Sequence, residues 1–362
     1  MIMTGLRGVG KTVLLNRFAE LAEMAGWESI ELEASKHDET AFRQSIFSKF
    51  RAALLHISPR RRWSERARHA AEVLSSFVLS IDQSGTFSVT WDVDPSEGYG
   101  DHGDLGLDLT DVFLAVGEVA KEKGTGIVLL IDEVQFLTTV QLESLIQAVH
   151  KSVQKKLPIT FVGAGLPQIA ELAGDAKSYA ERLFKFPRID SLTPEEARQA
   201  LVGPAETENV SYDEDAVDLA VSLTHGYPYF IQELGYQAWI VASGNHITAE
   251  DISTAKDAYE AKLDGSFFRV RLDRATPLQT ACMRAMAELG SEPQKAADVA
   301  SLMKRESSQV APIRSQLIDM GLLYTPQHGY AAFTVPDFDK FMMRAVPRLE
   351  VPEIQHRRRR GK

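Results

Sequence analysis

One eight-residue segment constrains the fold of this chain more than any other: Gly5, Leu6, Arg7, Gly8, Val9, Gly10, Lys11 and Thr12. It matches G-x-x-x-x-G-K-[ST] and joins a short apolar run, residues 1–4, to a helical pattern at residues 12–25. Glycines let a backbone wrap closely around phosphates and aim its N–H groups at them, and the helix that follows adds its positive end. The segment therefore predicts a phosphate-binding loop between a strand and a helix.

The loop and a second motif carry the side chains that nucleotide chemistry needs. Lys11 brings a positive charge to the β- and γ-phosphates, and the Thr12 hydroxyl is a ligand for Mg²⁺. The apolar run 127–131 ends in Asp132 and Glu133, about 120 residues after the loop. We expect Asp132 to hold the Mg²⁺ shell and Glu133 to orient or deprotonate the attacking water. The sequence thus predicts an ATP and Mg²⁺ site, with cofactor contacts from Gly5, Leu6, Arg7, Gly8, Val9, Gly10, Lys11, Thr12 and Val13.

Strand and helix patterns alternate through the first half of the chain. Further strands are expected at residues 27–32, 127–131, 158–163 and 184–189, and helices at 41–56 and 142–153. The run 127–131 is apolar throughout, which is typical of a strand covered on both faces. This alternation predicts an α/β fold with a parallel sheet and helices on both faces.

An insertion at about residues 58–110 interrupts the alternation. Residues 58–68 are rich in arginine, and the runs 77–81 and 87–93 flank Gln83-Ser84-Gly85, which predicts a β-hairpin. Seven acidic residues and no basic ones then follow between Asp92 and Asp111. A cation-binding loop and a solvated acidic loop are the two interpretations. We favour the solvated loop, because the spacing matches no calcium-binding pattern.

After Pro194 the strand patterns stop. Residues 194–202, 214–223, 228–243 and 249–263 predict a helical group, whose first helix starts with a Thr193 cap and Pro194. Residues 264–276 are charged and weakly periodic, which favours a linker. Helices at 278–289, 295–303 and 307–320, the last capped by Ser307 and Ser308, precede a hairpin. We expect an ATPase core at 1–192, a helical lid at 193–264, a third domain at 265–350 and a basic tail at 351–362.

Composition supports a soluble, reducing setting but leaves the partner open. The single cysteine, Cys282, cannot form an internal disulfide, and no apolar run is long enough to cross a membrane, so we expect a cytoplasmic protein. The net charge is −10, yet residues 266–362 carry 16 Lys and Arg against 10 Asp and Glu. An acidic body with a basic end indicates contact with an anion, either nucleic acid or an acidic protein face.

The two motifs and the elements around them resemble those of P-loop ATPases near the AAA+, STAND and archaeal-type groups, over nearly the whole chain apart from the insertion. The resemblance implies Walker A and Walker B motifs, a sheet order of 5-1-4-3-2, a helical lid and a C-terminal winged helix. Relatives usually carry a segment before the phosphate loop that closes over adenine. Here the loop starts at residue 5, which predicts a shortened start and a weakened hold on the nucleotide.

The same resemblance implies further site residues. The strand near Ile159 ends in a Gly-Ala-Gly tip where AAA+ proteins usually have a polar sensor, and Gln168 is a weak substitute. Arg182 resembles an arginine finger that reaches the γ-phosphate on a neighbouring subunit. A surface ion pair with Glu181 or another acidic residue is the alternative, and Arg188 is the second choice for the finger. Pro228, in Gly-Tyr-Pro, resembles the lid proline of STAND proteins that lies near adenine.

The third domain resembles a winged helix-turn-helix, a fold that binds DNA or docks protein partners. Gln309, Arg314 and Gln316 are expected to face outward on its recognition helix. The arginines at 357–360 would add phosphate contacts, or serve only to keep the protein in solution.

The sequence as a whole predicts an ATPase that forms ADP and phosphate and acts as a nucleotide-dependent switch, with Glu133, Lys11 and Arg182 in catalytic roles. Three classes compete: a DNA-binding regulator, a STAND-type switch with protein partners, and a nucleotide-binding module with little turnover. A homo-oligomer is expected if Arg182 acts on a neighbour.

Overall fold

A computed structural model describes residues 1–34, 39–79, 93–177 and 180–352. The chain divides into two compact units. The first comprises Met1–Gly5 and Gly10–Ile189, and the second comprises Leu6–Val9 and Asp190–Lys362. The phosphate loop predicted from the sequence therefore belongs in part to each unit.

The first unit is built on a parallel sheet of four strands: β1 (Ile2–Thr4), β2 (Glu28–Glu33), β3 (Ile127–Asp132) and β4 (Ile159–Gly165). Their order is β1-β4-β3-β2, with Leu129 opposite both Ile30 and Phe161. This order confirms the predicted α/β class and the predicted neighbours of these four strands.

The fifth predicted strand runs beside β1 without becoming a regular strand. Ile2 donates its N–H to the Lys185 carbonyl at 2.8 Å, and Ile189 donates its N–H to the Thr4 carbonyl at 2.7 Å. Only Thr4 and Arg188 form a bridge, which is parallel. Pro187 lies within this segment and has no N–H to give to a ladder, which limits the pairing.

Helices cover both faces of the sheet, since its alternate residues enter two separate cores. On one face, Val128, Leu130 and Val162 pack with Leu15 of helix α1 (Lys11–Met24). On the other, Leu129 and its neighbours enter a larger core with the helices that follow. The helices of this unit are α1 (Lys11–Met24), α2 (Glu39–Ile57), α3 (Glu65–Leu79), α4 (Leu105–Lys123), α5 (Thr139–Gln154), α6 (Ile169–Ala176) and α7 (Ala180–Leu183).

The predicted hairpin in the insertion is wrong at its first strand. Residues 77–79 are the last turn of α3, where Phe77 is fully buried on the same face as Val73 and Ala70. A short apolar run fits a strand and a buried helix end equally well, and burial of this face decides for the helix. The turn and most of the second strand, residues 80–92, lie outside the described residues.

The acidic stretch is not uniformly solvated, contrary to our expectation. It ends in α4, which Asp104 caps by accepting the Leu107 N–H at 2.9 Å. Asp108 is fully buried and pairs with buried Arg43 at 2.8 Å. A buried charge requires such a partner, and the partner lies on α2, far away in the sequence.

The second unit is largely helical. Its helices are α8 (Pro194–Thr207), α9 (Glu214–Thr224), α10 (Pro228–Val241), α11 (Ala249–Lys262), α12 (Arg269–Leu272), α13 (Pro277–Leu289), α14 (Ala296–Leu302), α15 (Ser307–Asp319) and α16 (Phe338–Ala345). Short strands β5 (Ser211–Tyr212) and β6 (His246–Ile247) pair in parallel, and β7 (Gln294–Lys295), β8 (Leu323–Tyr324) and β9 (Tyr330–Phe333) form an antiparallel sheet of order β7-β9-β8.

Two expectations about this unit are wrong and one is confirmed. The predicted linker is a π-helical turn, Leu263–Phe268, that continues into α12, because buried Phe267 and Phe268 anchor it among aromatic rings. Helix α15 is capped by the side chain of Glu306 rather than by the two serines. The Thr193 cap of α8 is confirmed, with the Glu196 N–H donated to its hydroxyl oxygen at 3.3 Å. No helix in the described part of the chain is long and apolar enough to span a bilayer.

Candidate functional site

The phosphate loop has the backbone shape that its glycines predict. Gly8 and Gly10 have φ angles of 88° and 93°, a left-handed region that side chains with a Cβ disfavour. Helix α1 begins directly after Gly10, at Lys11. The Lys11 side chain is 7% exposed and donates from Nζ to the Gly5 carbonyl at 2.9 Å. The ammonium is thus held inside the loop, bonded to the first residue of the motif.

The two motifs meet at the carboxyl end of the sheet. Thr12 Oγ1 donates a hydrogen bond of 2.5 Å to Asp132 Oδ2, across 120 residues of sequence. Thr12 is exposed and Asp132 is half-buried at the end of β3, so both oxygens remain accessible. A hydroxyl and a carboxylate are hard oxygen ligands of the kind that Mg²⁺ prefers, so these residues fit the ion.

Glu133 is fixed by a neighbour that sequence reasoning missed. Its backbone lies in the left-handed region at φ 53° and donates N–H to Asp132 Oδ1 at 2.8 Å. The Glu133 carboxylate accepts a hydrogen bond from Gln135 Nε2. Gln135 Oε1 in turn accepts the Leu166 N–H at 3.0 Å. Gln135 thereby ties the second acidic residue to the end of β4.

The tip of β4 is shaped to admit that glutamine. A Cβ on Gly165 would lie 2.7 Å from Gln135 Oε1, too close for an unshifted contact. Gln168, the weak substitute for a sensor, has a buried Oε1 with no hydrogen-bond partner in the described part of the chain. A polar group does reach the strand tip, but it comes from the segment after β3. The signal was the Gln two residues after Glu133, read together with the glycine tip.

The tip of the phosphate loop, Leu6–Val9, belongs to the second unit and contacts other residues of that unit. Arg7 donates its N–H to the Thr334 carbonyl at 3.2 Å. A Cβ on Gly8 would lie 3.1 Å from a ring carbon of Tyr227 and 3.3 Å from Cβ of Tyr229. Pro228 stands between these two tyrosines as the first residue of α10. The structure therefore brings Pro228 near the loop tip in space, although the two are far apart in the sequence.

Tyr227 is buried at this contact. Its ring is 1% exposed, and its hydroxyl makes no hydrogen bond with the described residues. Burial raises the pKa of Tyr227 well above its usual range, so the phenol stays neutral.

Other predicted residues are not gathered at this site. Arg182 is exposed on α7, and no ion pair joins it to Glu181 among the residues that the structure describes. Arg188 is exposed on the segment beside β1, and Val13 is exposed one residue after Thr12. On α15, Gln309 and Gln316 are exposed as expected, but Arg314 is partly buried, which corrects the expectation that it faces outward.

The loop, the acidic end of β3 and the parallel strand order define a P-loop nucleoside-triphosphatase fold. Residues 1–170 match the model of the AAA domain family. Residues 265–342 match a family described as a domain of unknown function, DUF8462. No curated protein sequence matches the chain.

The chain is similar to several solved structures, and the first of those named here shares its fold. The Walker-type ATPase PABY2304 of Pyrococcus abyssi is 16% identical with a TM-score of 0.58, and the match covers 94% of this chain and 90% of that one. The RuvB Holliday junction branch migration motor of Thermotoga maritima is 14% identical with a TM-score of 0.44, covering 97% and 87%. Cdc6p from Pyrobaculum aerophilum is 15% identical with a TM-score of 0.43, covering 95% and 86%.

Proposed function

We propose that the chain binds ATP with Mg²⁺ at the phosphate loop and hydrolyses it to ADP and phosphate. The observation that carries this proposal is the 2.5 Å bond between Thr12 and Asp132, because it joins the two halves of the predicted site. The AAA domain match over residues 1–170 supports it. In this proposal Gly5 to Val13 surround the phosphates, and Pro228 lies near the adenine.

The proposed roles follow from the contacts. Lys11, held by the Gly5 carbonyl, would meet the β- and γ-phosphates, and Thr12 with Asp132 would hold Mg²⁺. When bound, the ion supplies positive charge that offsets the charge developing on the phosphates. Glu133 would orient the attacking water, and Gln135 would keep the Glu133 carboxylate in place.

The proposed output is a switch. The loop tip contacts Tyr227 and Tyr229, so a change of the loop on phosphate binding would reach α10 directly. Arg182 is proposed to serve a neighbouring subunit, which requires an oligomer. We further propose a lid at 193–264 and, from the packing of α13 to α15 with the β8–β9 hairpin, a winged helix that docks DNA or a protein partner. A buried, unpaired Cys282 supports a reducing, cytoplasmic setting.

The decisive experiment compares Lys11→Ala with Glu133→Gln, and uses Lys151→Ala as a control because Lys151 is exposed on α5. Lys11→Ala should lose ATP binding in a calorimetric titration. Glu133→Gln should bind ATP as the unaltered protein does but release no phosphate. Equal phosphate release from all three variants would show that the assignment is wrong, and binding without release in the unaltered protein would favour the module with little turnover.

Further experiments test the nature of the binding partner and the role of Arg182. Duplex DNA that stimulates turnover, with an affinity that falls steeply as salt rises, would support the DNA-binding regulator. A protein recovered with the chain only when ATP is present would support the STAND-type switch. Adding Arg182→Ala subunits to a catalytically inactive Glu133→Gln population tests the finger, because only contributions across subunits restore turnover in such a mixture.

A further inference from the structure

An apolar groove lies between α8 and α10 of the second unit, and none of the residues that line it is assigned to ATP. It has a volume of about 460 Å³. Its walls are mostly apolar, and the residues used below are Leu201, Pro204, Tyr212, Gly235, Tyr236 and Trp239. We call it the α8–α10 groove.

A glycine and a proline lie in the helices that form this groove. Gly235 lies in the middle of α10, where a Cβ would come within 3.0 Å of Leu201 Cδ1. Pro204 lies inside α8 and has no N–H to give to the Ala200 carbonyl. Glycine and proline both destabilise a helix, so the residues that form the groove lower the intrinsic stability of α8 and α10.

Large aromatic side chains stand at the groove without being covered. Tyr236 is 61% exposed and Trp239 is 44% exposed, one turn apart on α10. Tyrosine and tryptophan dominate the binding energy of protein interfaces, because each buries a large apolar surface and keeps one polar group. An uncovered pair beside an apolar cleft has the composition of a docking site.

The charge around the groove selects the partner. Residues 193–264 hold fourteen Asp and Glu but three Lys and Arg. One of the three, Arg198, already pairs with Glu214 at 3.0 Å and with Asp218 at 2.6 Å. Glu206, in the last turn of α8, and Glu208, just after its end, follow the groove residues in the sequence. Such a surface repels nucleic acid and attracts a basic chain.

We propose that the α8–α10 groove docks a basic amphipathic segment of another protein. Apolar side chains of the segment would enter the cleft against Tyr236 and Trp239, while its Lys and Arg residues would lie over the acidic surface. Helical spacing of the apolar residues suits a cleft that runs between two helices. This docking is separate from the ATP site and does not depend on it.

The probe is a fluorescein-labelled 16-residue peptide of Leu and Lys at amphipathic helical spacing, without aromatic residues, titrated with the full chain and followed by anisotropy. The double variant Tyr236→Ala, Trp239→Ala should weaken binding at least about tenfold. Ile240→Ala is the matched control: Ile240 is 59% exposed on the same helix but does not line the groove, so binding should stay the same. A peptide with Glu in place of Lys should not bind.

The results of these measurements distinguish the proposed peptide ligand from other occupants of the groove. Unchanged peptide binding by the double variant overturns the proposal. The proposal is also overturned if the peptide fails to bind and the chain instead forms a dimer, measured by sedimentation, that the double variant does not form. Binding of a single-stranded oligonucleotide that needs Trp239, or tighter peptide binding by a chain that ends at Pro352, would equally overturn it. Lys11→Ala should bind the peptide normally, so a failure of the ATP proposal leaves this result readable.

Discussion

Gln135 offers the sharpest test of how the site is held, because two hydrogen bonds fix its side-chain amide. Its Nε2 donates to the Glu133 carboxylate, and its Oε1 accepts the Leu166 N–H at 3.0 Å. A hydrogen bond to an ionised group contributes about 1.5–3 kcal/mol. If that bond keeps Glu133 in position during hydrolysis, Gln135→Ala should lower kcat by about tenfold to a hundredfold.

The assay must distinguish positioning from a general loss of structure. We expect Gln135→Ala to lower kcat in steady-state phosphate release while the Kd for ATP, measured by titration, changes less than about twofold, because the phosphate contacts of Lys11 and Thr12 are untouched. Gln168→Ala is the control, since the Gln168 Oε1 has no hydrogen-bond partner in the described part of the chain. A kcat for Gln135→Ala equal to that of the control would refute the reasoning.

The same contact can be broken from the opposite side. A methyl group on Gly165 would lie 2.7 Å from Gln135 Oε1, so Gly165→Ala should displace the amide and lower kcat in the same way. In the Gln135→Ala background the methyl group meets no amide, and Gly165→Ala should then have little further effect. Independent, additive losses would show that the two residues act through different causes.

Further expectations concern stability. Gly226→Ala should lower the free energy of unfolding by about 3 kcal/mol or more in a denaturant titration, since φ of Gly226 is +69° and the new Cβ would lie 2.3 Å from a backbone oxygen. Gly203 has open space around it, so Gly203→Ala should stabilise α8 by about 0.5–1 kcal/mol. Arg43→Met should cost about 3–5 kcal/mol because it leaves Asp108 buried and unpaired, and adding Asp108→Leu should restore most of the loss. Burial raises the pKa of Cys282 to about 12, so a thiol reagent at pH 8 should label it only as the chain unfolds; fast labelling of the folded protein would contradict its burial.

The sequence predicted the parts of the fold that depend on local patterns. The apolar runs at β3 and β4 need cover on both faces, and the loop before Lys11 needs a strand before it and a helix after it. These requirements suffice for a parallel sheet. They also place Thr12 and Asp132 at one edge, because the carboxyl ends of parallel strands meet there, and the structure joins their oxygens.

The wrong predictions arose where distant contacts outweigh local preference. The helix predicted at residues 194–202 continues through Gly203 and Pro204 to Thr207. Its buried Ala205 lies on the apolar side of the helix, so packing offsets the bond that Pro204 cannot make. Residues 264–276 carry enough charge to suggest a linker, but Phe268 is 1% exposed within an aromatic cluster that no local pattern shows.

The glycine tip of β4 illustrates why the catalytic arrangement was harder to predict than the phosphate loop. Read along the strand, Gly163 to Gly165 offers no side chain that could sense a nucleotide, which suggested a site without a polar group there. The structure requires this absence of a side chain at Gly165, because Gln135 occupies the space that a Cβ at Gly165 would fill. A side chain from the segment after β3 thus takes the place of a polar side chain at the end of β4. The exchange leaves one amide in contact with both Glu133 and the β4 backbone, so movement of the β4 tip and the orientation of Glu133 are coupled through Gln135.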